Sequence, residues 1–147
     1  MSNLTMSNRT TSNQATTADR DSFYQEVMRI GNLRTPDHAE RWTLAVLRTL
    51  GFNLSGSTKK ELAKALPEEL ARDLTRGWRL INIRRSKLSL DDFAKDIALR
   101  SGNTDREVAK VVTQVVFRQL KSLVGDRVVR DVARDLSPEV GAHWEAA

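Results

Sequence analysis

The chain has 147 residues, long enough for one ordinary domain and too short for a second independent function beside it. Hydrophobic residues make up 39% and charged residues 29%, a globular balance in which Leu, Val and Ala supply enough apolar mass for a core. The absence of cysteine excludes disulfides, thiolate metal sites and cysteine nucleophiles together, and no stretch approaches the ~20 apolar residues a membrane span requires.

Residues 1–18 contain Ser, Thr and Asn with almost no large apolar side chains, so they cannot offset the entropy of being ordered and are expected to form a disordered polar leader. The same stretch lacks the apolar run of a secretory signal, which makes a cytoplasmic location the expectation. Helix punctuation then recurs along the chain. Thr35-Pro36-Asp37 sets a capping hydroxyl, a first-turn proline and a carboxylate in the order a helix start prefers. Thr58-Lys59-Lys60-Glu61 and Thr104-Asp105-Arg106-Glu107 fit the reciprocal capping box, and Ser137-Pro138-Glu139 repeats the cap-then-proline order. Gly31, Gly51, Gly102 and Gly125 each follow an apolar-periodic run and are expected to close helices.

Between these signals the apolar residues keep helical spacing: Phe23, Val27 and Ile30; Ala39, Trp42, Val46 and Leu50; Leu62 and Leu66; Phe93 and Ile97; Val108, Val112, Val116 and Leu120. The β-branched run Val111 to Phe117 could read as a strand, but its length and the preceding capping box favour a helix. Shifting the chain by 70 residues against itself, without a gap from Phe23 to Ala71, superimposes these patterns. Phe23 falls on Phe93, Val27 on Ile97, Ala39 on Ala109, Thr43 on Thr113, Val46 on Val116, Arg48 on Arg118, Leu50 on Leu120 and Leu66 on Leu136. The expectation is an all-α protein in which a tandem duplicated helical unit packs into one bundle-like domain. Repeat 1 spans residues 19–78, a basic linker 79–88, and repeat 2 residues 89–147.

Phe23 through Leu50, the segment Leu66-Pro67-Glu68-Glu69-Leu70 and Gly77-Trp78 resemble the bacterial family called domain of unknown function 2267. The resemblance covers nearly everything after the leader and implies a two-repeat helical pattern. It implies no activity, cofactor or catalytic residue. The segment Arg79 to Arg85 departs from the family, where this stretch is more polar and mixed in charge.

Catalytic chemistry is not legible. His38 and His143 have no partner at metal-ligand spacing and read as surface or capping residues, and Asp91-Asp92 is explained by the dipole of the helix it opens. No glycine-rich loop has phosphate-binding spacing, so neither a catalytic set nor a cofactor is expected. Charge says more. Between Arg72 and Lys87, six cations face the single acid Asp73, a local net charge of +5 that equals the charge of the whole chain. Arg72, Arg76, Trp78, Arg79, Arg84, Arg85 and Lys87 are therefore the candidate residues for an anionic partner, since guanidinium forks bind phosphate or carboxylate and an indole face can stack. The competing structural reading packs Trp78, Leu80, Ile81 and Ile83 between the repeats and leaves the arginines in water. The leading functional expectation is a non-enzymatic interaction module whose partner is a protein, in a larger assembly or a homo-oligomer. The alternatives are nucleic-acid binding through Arg72–Lys87 and an enzyme whose site is scattered over both repeats.

Overall fold

Where a helix begins is decided by which oxygen can accept from its first unpaired N–H groups. The computed structural model describes residues 21–31, 33–76, 87–102 and 105–147, and among these there are eight helices and no strand. They are α1 (residues 21–30), α2 (Pro36–Phe52), α3 (Gly56–Lys64), α4 (Glu68–Thr75), α5 (Leu90–Arg100), α6 (Arg106–Leu123), α7 (Asp126–Asp135) and α8 (Pro138–Ala146). The expected leader and linker residues 79–86 lie outside the described residues.

The caps refine the expected starts. The Thr35 hydroxyl accepts from His38 N–H and that of Ser137 from Val140 N–H, each ahead of a proline, as their sequences imply. Thr58 does not open α3: Ser55 caps it three residues earlier and accepts from Thr58 N–H. At α6 the cap is Asp105, whose carboxylate takes both Glu107 and Val108 N–H groups. A carboxylate that engages two donors at a positive dipole end outcompetes a neighbouring hydroxyl.

Two glycines also differ from expectation. Gly125 is the N-cap of α7 rather than a closing residue. Gly51 lies inside α2, where a Cβ would stand 2.2 Å from the carbonyl oxygen of Leu74, so its role is to let α4 press directly onto α2. Gly102, at φ 80°, does end α5 in the left-handed region.

α2 and α6 form the centre. Along α2, Ala39, Trp42, Ala45, Val46, Leu47 and Leu50 are buried, and along α6, Ala109, Val112, Val115, Val116, Phe117 and Leu120. Each is apolar on more than one face because it has neighbours on more than one side: α2 packs on α4, α5 and α6, and α6 on α5 and α8. Polar residues within this core satisfy themselves locally. The hydroxyls of Thr43 and Thr113, 70 residues apart, donate to the carbonyls of Ala39 and Ala109 at 2.7 and 2.6 Å.

The 70-residue interval recurs in the caps Thr35 and Asp105, Ser55 and Gly125, and Pro67 and Ser137. It recurs in burial at Leu62 and Val132, Leu70 and Val140, and Leu74 and Trp144. Trp144 is fully buried and anchors α8: its ring meets Phe117 edge-on at 5.0 Å and its Nε1–H donates to Val129 O at 3.0 Å. The ammonium of Lys121 donates to the carbonyls of Trp144, Glu145 and Ala147, which closes the last turn of the same helix. Across the two halves α3 meets α7, where the Asp135 carboxylate accepts from both the backbone N–H and the hydroxyl of Ser55 at 2.9 and 2.7 Å.

Candidate anion-binding groove

Arginine is poorly tolerated on an apolar helix unless its head finds water or an acceptor. Arg48 sits on the central helix α2 between buried Leu47 and buried Thr49. One turn later on the same face comes Phe52, the last residue of α2. The C-cap of α4, Arg76, and the last residue of α5, Arg100, join them in a groove of about 550 Å³, lined among the described residues by these four. The close α2–α4 crossing at Gly51 brings Arg76 here, and the packing of α5 on α2 brings Arg100.

Arg100 is fixed in place. Its guanidinium lies 4.7 Å from the centre of the Phe52 ring and donates through Nη1 to the Thr49 hydroxyl at 2.7 Å, which in turn donates to Ala45 O. Arg48 Nε is buried without an acceptor, and neither Arg48 nor Arg76 makes a direct ion pair with a carboxylate among the described residues. Asp73, on α4, is buried and feels the charge of both Arg48 and Arg76. Burial pushes its carboxyl above the usual range, while Arg48 and Arg76 pull it back down. Among the described residues the walls of the groove present guanidinium donors, which suit an anion.

Of the residues expected from the basic segment that the structure describes, Arg72, Arg76 and Lys87, only Arg76 lines this groove. Arg72 projects from the exposed side of α4 towards Glu68, 3.6 Å away, and Lys87 is exposed ahead of α5. Trp78, Arg79, Arg84 and Arg85 lie outside the described residues. A run of charge does not reveal Arg48, Phe52 and Arg100, because they sit on α2 and α5, outside that run in the sequence. The available signal was a lone arginine within the apolar stretch Ala45 to Leu50, one turn from an aromatic residue.

Elsewhere the histidines stand apart. His143 is part-buried, with Nε2 3.1 Å from Lys110 O, and His38 faces a separate cleft in the first turn of α2. No group of three metal-ligating side chains is assembled among the described residues, and no described helix is long and apolar enough to cross a membrane.

The family model described as an uncharacterized conserved protein (DUF2267) matches residues 20–143, well over half of the sequence. The chain belongs to this family. The match takes in all of the helical pattern from α1 to most of α8, and with it every residue of the groove. No curated protein matches the sequence, so the family's description carries no activity to this member of it.

Proposed function

We propose that this chain is a non-enzymatic cytoplasmic interaction module that docks an acidic segment of a partner protein in the groove of Arg48, Arg76 and Arg100. The observation that carries this reading is the meeting of three guanidinium groups from three helices around one hollow, with Arg48 Nε buried and lacking an acceptor. A buried donor left unmatched costs about 1–3 kcal/mol, and an incoming carboxylate supplies the acceptor. Three guanidinium groups around one hollow suit one or two carboxylates on a peptide. The partner belongs to a larger assembly or to a second copy of the chain.

Nucleic-acid binding is the second reading, favoured by the concentration of the chain's net charge between Arg72 and Lys87, a segment that shares Arg76 with the groove. Fluorescence anisotropy separates the two. Labelled glutamate-rich peptide should bind wild type at low salt, and Arg48→Gln, Arg76→Gln and Arg100→Gln together should abolish that binding, with the melting temperature monitored in parallel. Arg76→Gln alone, at an exposed residue, should weaken binding without affecting the fold. Preferential binding of oligonucleotide, lost on changing Arg79, Arg84 and Arg85 to Gln and with a salt slope flattened by roughly one unit per phosphate contact removed, would replace the first reading with the second. Absence of peptide binding by wild type defeats the first reading.

A further inference from the structure

Two positions on the core-facing stripes, Ile30 of α1 and Val108 of α6, are only half-buried. The reason is a cleft of about 570 Å³ between the end of α1 and the first turns of α2 and α6. Its apolar walls are Ile30, Leu33, Val108, Val111 and the buried Trp42. Val111 keeps 48% of its surface exposed along this wall. The volume falls within the range of roughly 300–1,000 Å³ typical of small-molecule sites, which are mostly apolar with a few placed polar groups.

The polar groups stand at the rim: Arg34, His38 and Glu107. Glu107 is engaged by the Lys110 ammonium at 3.1 Å. Arg34 is exposed and has no acidic partner among the described residues. The rim therefore offers an unpaired guanidinium over an apolar hollow, the complement of an anionic head on an apolar tail. A protein partner fits less well. A standard interface covers about 800 Å² on each side around an apolar centre. Among the described residues the other exposed large hydrophobics are Leu99 on α5 and Leu123 at the end of α6, neither of which lines the cleft.

We propose that this cleft is a binding site for a small amphiphilic carboxylate, an acyl or aryl acid whose tail lies against Ile30, Leu33, Val108 and Val111 and whose head meets Arg34. The site shares no residue with the arginine groove, and its occupancy does not depend on the docking function.

The probe is decanoate, titrated below its micellar range while the methyl resonances of labelled Ile, Leu and Val are followed by NMR. Saturable shifts confined to Ile30, Leu33, Val108 and Val111 are expected. Decanol should bind roughly tenfold more weakly, and Arg34→Gln should bring decanoate down to the decanol level, the usual scale of one charge-assisted contact. Val111→Asp, at an exposed position, should abolish both while a melting curve verifies the fold. The triple arginine-groove variant should leave decanoate binding unchanged, which keeps this test separate from the docking reading. Shifts that never saturate or map elsewhere overturn the proposal, as does decanoate binding indifferent to both Arg34→Gln and Val111→Asp. Concentration-dependent sedimentation of wild type that Val111→Asp removes would also overturn it, because the occupant would then be a second copy of the chain.

Discussion

Replacing Gly51 by alanine sets two well-understood effects against each other. In a helix interior the change should stabilise the chain by about 1 kcal/mol, because alanine loses less backbone entropy on folding. The added Cβ would lie 2.2 Å from the Leu74 carbonyl oxygen, whereas ordinary contact begins at 3.4 Å, so α4 must retreat by about 1.2 Å. The obstacle is backbone and cannot rotate away. Moving a packed helix costs about 1–3 kcal/mol, and the retreat also loosens the buried contacts of Leu70 and Leu74. The helix-propensity gain is small at Gly51, one residue from the end of α2, so Gly51→Ala should be about 2 kcal/mol less stable than wild type. Gly56→Ala is the control: nothing lies within 4 Å of a Cβ there, and its stability should be unchanged or slightly raised. Urea unfolding followed by far-ultraviolet circular dichroism measures both. A Gly51→Ala protein as stable as wild type would refute the close crossing and, with it, the placement of Arg76 beside Arg48.

Leu50→Ala and Leu120→Ala, at fully buried positions 70 residues apart, should each cost about 2–5 kcal/mol in the same assay, and a change below about 0.5 kcal/mol in either would remove that residue from the core. Asp135→Ala strips the acceptor from two Ser55 donors between α3 and α7 and should cost about 1–3 kcal/mol by the same measurement. Because burial raises the Asp73 carboxyl, the folded protein holds this proton more tightly than the unfolded chain. The stability that Asp73 contributes relative to Asp73→Asn should therefore be greatest below the unfolded carboxylate range, fall as pH rises through the folded value, and be flat above it; a difference that grew with pH would reverse the assignment.

The fold was legible because it rests on local signals. The stripes Phe23 and Val27, Trp42, Val46 and Leu50, and Val112, Val116 and Leu120 all point inwards, and the proline-marked caps Thr35 and Ser137 stand where the sequence sets them. Caps were misplaced where several polar residues compete within three positions, as at Ser55 against Thr58, because the winner depends on loop geometry. Gly51 looked like a stop because a close approach between helices leaves the same mark in a sequence as a left-handed turn. The groove was only partly legible. Arg76 belonged to a visible run of charge, but its companionship with Arg48 and Arg100 arises from α4 and α5 both packing on α2, a contact no local pattern encodes.

Lys121 stands 70 residues after Gly51, just as Trp144 stands 70 after Leu74. The two carbonyls are met in different ways: that of Leu74 by a bare α-carbon with no room to spare, and that of Trp144 by an ammonium 3.0 Å away at the end of a four-carbon arm. A lysine placed at 51 would be driven into the α4 backbone, and a glycine placed at 121 would leave the final turn of α8 without its donor. Each fit therefore belongs to a helix pair, α2 with α4 and α6 with α8, rather than to a single side chain.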